Sequence, residues 1–212
     1  TARLGAVGFW SFFFLVCQPW RVSGLTQLLG AGAIAAHPTA FFLVAGYSES
    51  LFLMALLGFM YWSTAEGRTA KVLAALHGIV MSATRIVGIP CAAYPVVRRV
   101  FEGGWDGLRD LLGWMKRYAW PLTLMVVSTF GAITFFFYCL VRWGRWDLYM
   151  LTQEAGWHVQ PDYLAIFQPS NYRWLVPPLN EPTKWSQLTM TLGALCLLAA
   201  GAVELFAALR RG

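Results

Sequence analysis

Long apolar runs separated by short clusters of charge make up most of this chain. A helix that crosses the hydrocarbon core of a bilayer needs about 20 mostly apolar residues, because every backbone N–H and C=O must be satisfied inside the segment. Charges bound each candidate here. One run lies between Arg3 and Arg21, and a second between Arg21 and Glu49, where Pro38 predicts a kink. A third covers 50–65 and stops at Glu66-Gly67-Arg68. The run 118–141 is uncharged, and 186–212 forms the last span, marked by Glu204 near its end.

The stretch 72–97 is divided by Arg85 into two pieces, each short for a full crossing. Lys and Arg accumulate in short cytoplasmic loops, so the distribution of basic residues arbitrates. With a hairpin tipped at Arg85, one face collects Arg21, Arg68, Lys71, Arg98, Arg99, Arg109, Lys116, Arg117, Arg210 and Arg211. The opposite face keeps Arg3, Arg85, Arg142, Arg145, Arg173 and Lys184. A single span would split the basic loops evenly, so the pattern predicts the hairpin. Within 98–117, Phe101, Trp105, Leu108, Leu112 and Met115 recur at helical spacing while the charges fall elsewhere, as in a helix lying in the cytoplasmic interface or docked on a partner.

These patterns predict an all-α, polytopic transmembrane bundle of about seven segments, the short hairpin included. Residues 1–141 hold transmembrane helices with the amphipathic segment 98–117. Residues 142–185 form an exterior loop rich in Pro and aromatics, and 186–212 the last helix. The opening of Thr1 and Arg3 directly onto an apolar run, with further spans behind it and no small-x-small cleavage site, predicts an internal start in a longer protein rather than a signal peptide.

Composition agrees. Of 212 residues 58% are hydrophobic and 12% charged, against about 25% charged in soluble domains. The net charge of +6 sits between apolar runs, so it reads as topology and not as a nucleic-acid footprint. Membrane lipids are the expected surroundings. Cys17, Cys91, Cys139 and Cys196 each lie in an apolar stretch without Cys-x-x-Cys spacing and read as unpaired packing residues. The sequence holds no phosphate-binding Gly motif, internal repeat or metal-ligand spacing, so no metal ligand is assigned and a divalent ion stays open as a cofactor.

Ionisable groups at bilayer depth are functional candidates by default. The topology brings Glu49, Arg85 and His37 to one exterior-facing level. Two readings stand side by side: an Arg85 to Glu49 ion pair that pins two helices, or an Arg85 guanidinium that binds phosphate while Glu49 or His37 orients or deprotonates a neighbouring group. His37 either touches substrate or satisfies a carbonyl freed by Pro38. In 142–185, Asp147, Glu154, His158, Asp162 and Glu181 offer carboxylates and an imidazole in no recognised metal spacing. The aromatics around them either stack on a sugar or anchor the loop at the interface.

The run His37-Pro38-Thr39-Ala40-Phe41-Phe42 through Tyr47-Ser48-Glu49-Ser50-Leu51-Phe52-Leu53 resembles the signature of the glycosylphosphatidylinositol mannosyltransferase II family, with His37 where that family usually has Phe. Ser82-Ala83-Thr84-Arg85-Ile86-Val87-Gly88 is similar to its Thr-Arg-Pro-Thr-Gly turn, with Ile86 and Val87 in place of Pro and Thr. Gly144-Arg145-Trp146-Asp147-Leu148-Tyr149 with Gln153 looks like its Gly-Asp-Pro loop.

The resemblance implies a GT-C fold and a hexosyltransferase activity. The donor would be a polyprenyl- or dolichyl-phosphate sugar, usually mannose, and a glycolipid or glycan acceptor would receive the sugar with inversion on the exterior or lumenal face. It puts forward Glu49 and Asp147 as catalytic carboxylates, Arg85 as the donor-phosphate ligand, and His37, Tyr47, Ser48, Trp146 and Gln153 as substrate contacts. It also implies an essential Asp in a first exterior loop ahead of Thr1. A prokaryotic plasma membrane and the endoplasmic reticulum both fit. The rival classes are a transporter or flippase of lipid-linked intermediates, whose helices are often discontinuous, and a non-catalytic assembly subunit.

Overall fold

The computed structural model describes residues 2–19, 21–37, 40–45, 48–103 and 111–157, together with helical positions 195, 196, 199, 202, 203, 206 and 207. Among them the structure is helical, without strands. The helices are α1 (Ala2–Cys17), α2 (Gly24–Ala36), α3 (Phe41–Val44), α4 (Glu49–Thr64), α5 (Arg68–Thr84), α6 (Gly88–Cys91), α7 (Tyr94–Gly103), α8 (Leu111–Trp143) and α9 (Leu148–Trp157). The chain divides into two compact units, one of Thr1–Val100 with Arg109–Leu148 and one of Phe101–Leu108 with Tyr149–Gly212.

In the first unit α1 packs on α4, α4 on α5 and α5 on α8. The cross-contacts give the chain directions. Ser50 Oγ donates to Ala2 O at 3.0 Å, and the Phe12 and Tyr61 rings lie 6.2 Å apart, so α1 and α4 run parallel. Gly58 abuts the His77 ring and Glu49 meets Arg85, so α4 and α5 run antiparallel, as a short Ala65 to Gly67 turn requires. Lys71 Nζ sits 5.2 Å from the Trp120 ring centre at one end, and Ser82 meets Ser128 and Ala132 near the other, so α5 and α8 run parallel.

Parallel neighbours need a return path. Between α5 and α8 the chain must travel back along α5, whose 17 residues span about 25 Å. The return begins where the sequence predicts a hairpin tip. Helix α5 stops at Thr84, Arg85 caps it with extended backbone (φ −148°, ψ 137°), and Gly88 folds back against Met81 and Ser82. A Cβ at Gly88 would lie 2.7 Å from Met81 O, so only glycine allows this approach. Ala92 re-enters the core, and Tyr94 packs against it.

Between α1 and α4 the return is made by α2 and α3. The run between Arg21 and Glu49 is broken here, rather than kinked as a single helix: α2 ends at Ala36, and its C-cap His37 is extended (φ −67°, ψ 136°). A residue before proline is pushed out of the α region by the proline Cδ, which accounts for the stop one residue ahead of Pro38. At its other end Ser23 Oγ accepts from Thr26 N at 3.1 Å, a regular N-cap.

Two boundaries differ from expectation. The residues 111–117, assigned to the amphipathic segment, join the following span in one 33-residue helix that runs through Pro121. The described part of the expected exterior loop holds a helix, α9. The residues 104–110, 158–185 and most of 186–212 lie outside the described residues, and the last span and the remainder of the loop with them.

Among the described residues one helix, Tyr118–Trp143, is long and apolar enough to cross a membrane. Only 28% of its most apolar window is buried, and Val126, Phe130, Ile133, Phe137 and Val141 face outward. The other apolar helices are shorter than a full crossing, α1 with 16 residues and α2 with 13. Helix α2 buries none of its residues, leaving Leu25, Leu28 and Leu29 exposed.

The core joins Phe52, Ala55 and Phe59 of α4, Ala74 and Met81 of α5, Ala92 just after α6, and Leu124 of α8. Small residues let the helices approach closely. A Cβ at Gly131 would come within 2.7 Å of Ala83 N, and Gly78 lies against Ser128. At this crossing the Ser82 hydroxyl enters the α8 ladder: it donates to Ser128 O and accepts from Ala132 N at 3.1 Å.

Candidate functional site

Glu49 opens α4 and Arg85 closes α5, and the antiparallel packing of these helices brings the two termini together. Arg85 Nη1 lies 3.0 Å from Glu49 Oε1. Each charge sits at the helix end that favours it, a carboxylate at an N-terminus and a guanidinium at a C-terminus. The ion pair of the first reading therefore exists. Arg85 nevertheless keeps 44% of its side chain exposed. The contact with Glu49 is made through Nη1 alone, which leaves guanidinium surface for an anion.

Glu49 is the more enclosed partner. Its Oε2 is buried and accepts no hydrogen bond. Beside it lies a groove of about 430 Å³ lined by Ala33, Ile34, His37, Ala40, Phe42, Leu43, Glu49 and Leu53. His37 reaches this groove because α2 stops there and α3 begins just beyond. Among the described residues the wall is apolar except for His37 and Glu49.

Ser48 precedes Glu49 as the N-cap of α4 without a side-chain capping bond, and its carbonyl accepts from Phe52 N at 2.9 Å. It is exposed beside the pair but does not line the groove. Tyr47 lies outside the described residues.

The proposed second carboxylate is placed elsewhere. Asp147 is gripped by Arg145 in a bidentate pair, Nε to Oδ1 at 3.1 Å and Nη2 to Oδ2 at 2.9 Å. The hydrogen bonds from Arg145 hold the Asp147 carboxyl below the usual aspartate range and push the guanidinium up. A carboxylate held this way is a weaker base than a free one. The pair also follows the end of α8, whose 12 residues after Gly131, as far as Trp143, rise roughly 18 Å beyond the level where Gly131 meets Ala83. Trp146 between them is exposed, its ring 6.4 Å from that of Phe136. Gln153 is half-buried in α9, within the second unit.

Two polar features carry no functional signal in the sequence. His77, within α5, has Nδ1 2.8 Å from Leu73 O and its ring edge-on to Phe12 at 5.1 Å, packed on Gly58. Ser82 and Ser128 are buried at the α5 to α8 crossing. Apart from the place of Ser82 at the start of the 82–88 motif, their trace in the sequence is small residues four apart, Gly78 with Ser82 and Ser128 with Ala132, a common spacing at close helix contacts. Among the described residues no three His, Cys, Asp or Glu side chains gather as metal ligands.

The groove and the ion pair are thus formed by His37, Glu49 and Arg85 on the breaks that flank α3 and follow α5. Compared with known proteins, the chain matches no family model, no curated protein and no solved structure.

Proposed function

We propose that this chain belongs to a multi-pass membrane glycosyltransferase that moves a sugar, mannose in the first instance, from a polyprenyl-phosphate donor to a lipid or glycan acceptor. The observation that carries the reading is the meeting of Glu49 and Arg85 at 3.0 Å beside the groove that His37 also lines. The resemblance of 37–53 and 82–88 to the mannosyltransferase II family concerns these same residues. The chain directions support a membrane setting: Arg68, Lys71 and Lys116 gather at one end of the first unit, and Glu49 and Arg85 at the other. That separation suits short basic loops on the cytoplasmic side and chemistry on the exterior side, in either a prokaryotic plasma membrane or the endoplasmic reticulum.

In this reading the acceptor hydroxyl attacks the anomeric carbon of the donor. The bond from that carbon to the phosphate oxygen breaks, and its electron pair leaves with the polyprenyl phosphate. Arg85 stabilises the charge that develops on the phosphate, using donors not committed to Glu49. A carboxylate takes the hydroxyl proton, and Glu49 is the one placed beside the groove. Asp147, tied to Arg145, suits a role in holding the exterior segment better than proton abstraction.

The test is transfer of radiolabelled mannose from polyprenyl-phosphate mannose to membrane acceptors, with wild type, Arg85→Ala and Glu49→Gln compared. Transfer by the wild type that is lost in both variants supports the assignment. Absence of transfer by the wild type with mannose, glucose and galactose donors would shift the reading to a transporter or an assembly subunit.

A further inference from the structure

The orphaned Oε2 of Glu49 asks for a hydrogen-bond donor. A carboxylate oxygen removed from water is costly unless a proton donor reaches it. Arg85 engages Oε1 and leaves Oε2 buried and unpartnered. Glu49 lines the groove, whose remaining wall, among the described residues, is apolar apart from His37. An occupant that completes this site carries a neutral hydroxyl at one end and hydrocarbon behind it. An anion would meet the carboxylate as like charge against like charge.

Size narrows the occupant. At ~30 Å³ for each water-sized group, the groove of about 430 Å³ has room for roughly 14 heavy atoms. That fits a hydroxyl-bearing headgroup with the first part of an alkyl chain.

We infer that the groove between α2, α3 and α4 is the subsite for a hydroxyl-bearing amphiphile, the acceptor, whose hydroxyl donates to Glu49 Oε2 while its chain lies along Ala33, Ile34, Leu43 and Leu53. The inference rests on the glycosyltransferase reading for the word acceptor, and on the groove alone for the chemistry. It assigns the two substrates to opposite sides of one ion pair: the hydroxyl to the Glu49 side, and the donor phosphate to the Arg85 side. The pair then fixes the distance between the attacking oxygen and the leaving group.

The experiment uses the protein in phosphatidylcholine nanodiscs with a diazirine-bearing dodecyl mannoside as photoprobe and peptide mapping of the label. Label is expected on the 33–37 and 43–53 segments. Unlabelled dodecyl mannoside should compete it, and dodecyl phosphate at the same concentration should compete about tenfold less well. Ala33→Trp fills the groove from α2, a helix that buries none of its residues, and should cut labelling about tenfold without unfolding the protein. Glu49→Gln, which replaces an acceptor oxygen with a donor, should weaken it as well.

Label outside these segments, or equal competition by dodecyl phosphate, would overturn the subsite. Labelling as expected with no sugar transfer would retain the amphiphile site and remove the glycosyltransferase reading. Sugar transfer with no label in the groove would do the reverse.

Discussion

Glu49 Oε1 and Arg85 Nη1 meet at 3.0 Å across the antiparallel α4 and α5, a carboxylate on a helix N-terminus facing a guanidinium on a helix C-terminus. The two residues lie at opposite ends of the segment 49–85, and the turn at 65–67 brings them to the same level. Whether this pair is a pin or a site is decided by its energetics. With nearly half of Arg85 exposed, its value to the fold should be that of a surface pair, about 0–1 kcal/mol.

Arg85→Ala is therefore expected to cost no more than about 1 kcal/mol in thermal unfolding in detergent, while binding of a polyprenyl-phosphate donor is lost. Separating the two readouts tests the assignment. A loss of several kcal/mol with donor binding intact would make the pair a helix pin and remove the phosphate role.

The α5 to α8 crossing makes a prediction about packing. A side chain on Gly131 would collide with the backbone of Ile79 and Ala83, which cannot move aside as a flexible side chain can. Gly131→Ala should cost about 1–3 kcal/mol, and Gly144→Ala, with nothing near its Cβ but φ at +71°, should cost about 1 kcal/mol through backbone strain alone. Equal melting shifts for Gly131→Ala and an exposed Val141→Ala control would sink the close approach.

Ser82→Ala removes the hydroxyl that stands between Ser128 O and Ala132 N. Since α8 can then close its own i to i−4 bond, the cost should be only about 0.6–1.7 kcal/mol. Amide exchange at Ala132 should slow as that bond shortens. Faster exchange would mean that the hydroxyl supports the ladder instead of interrupting it.

Under the proposed multi-pass setting, sidedness follows from the chain directions. With the native cysteines replaced, a cysteine at Glu66 and one at Arg142 should react with an impermeant maleimide from opposite sides of sealed vesicles. Reaction from the same side would overturn the crossing of α5 and α8.

The Arg145 to Asp147 pair has a pH signature. Arg145 lowers the folded carboxyl below the ordinary aspartate value of about 3.9. The pairing is thus complete above the ordinary range, and is lost only as pH falls through the lowered value. Carboxyl carbon NMR of Asp147 should show a midpoint below about 3.9 that returns toward it in Arg145→Ala. An unchanged midpoint in the variant would show that the pair does not persist in solution.

Much of the helix order was written in the sequence, because charge and proline act locally. The break after Ala36 follows from the steric demand of Pro38 on His37. The tip at Arg85 follows from the cost of a guanidinium inside an apolar run, and the meeting of Glu49 with Arg85 follows from parity of direction. Helix length was less legible. Apolar runs mark where helices lie, but capping and tertiary contacts set their ends, so α8 extends back to Leu111 and α1 stops at Cys17. The catalytic candidate that local motif similarity groups with Glu49 lies apart from it for the same reason: Asp147 pairs with Arg145 beyond the end of α8.

By itself, then, the sequence determined the helical character of the described residues, the positions of their breaks and the residues that would be costly in an apolar medium, since each depends on neighbours within a turn or two. Only the tertiary structure decided that Ser82 enters the α8 ladder and that one oxygen of Glu49 is buried without a donor beside the groove. Each of these depends on pairing groups far apart in the chain, and close helix approach selects such pairs through the shape and polarity of both surfaces together.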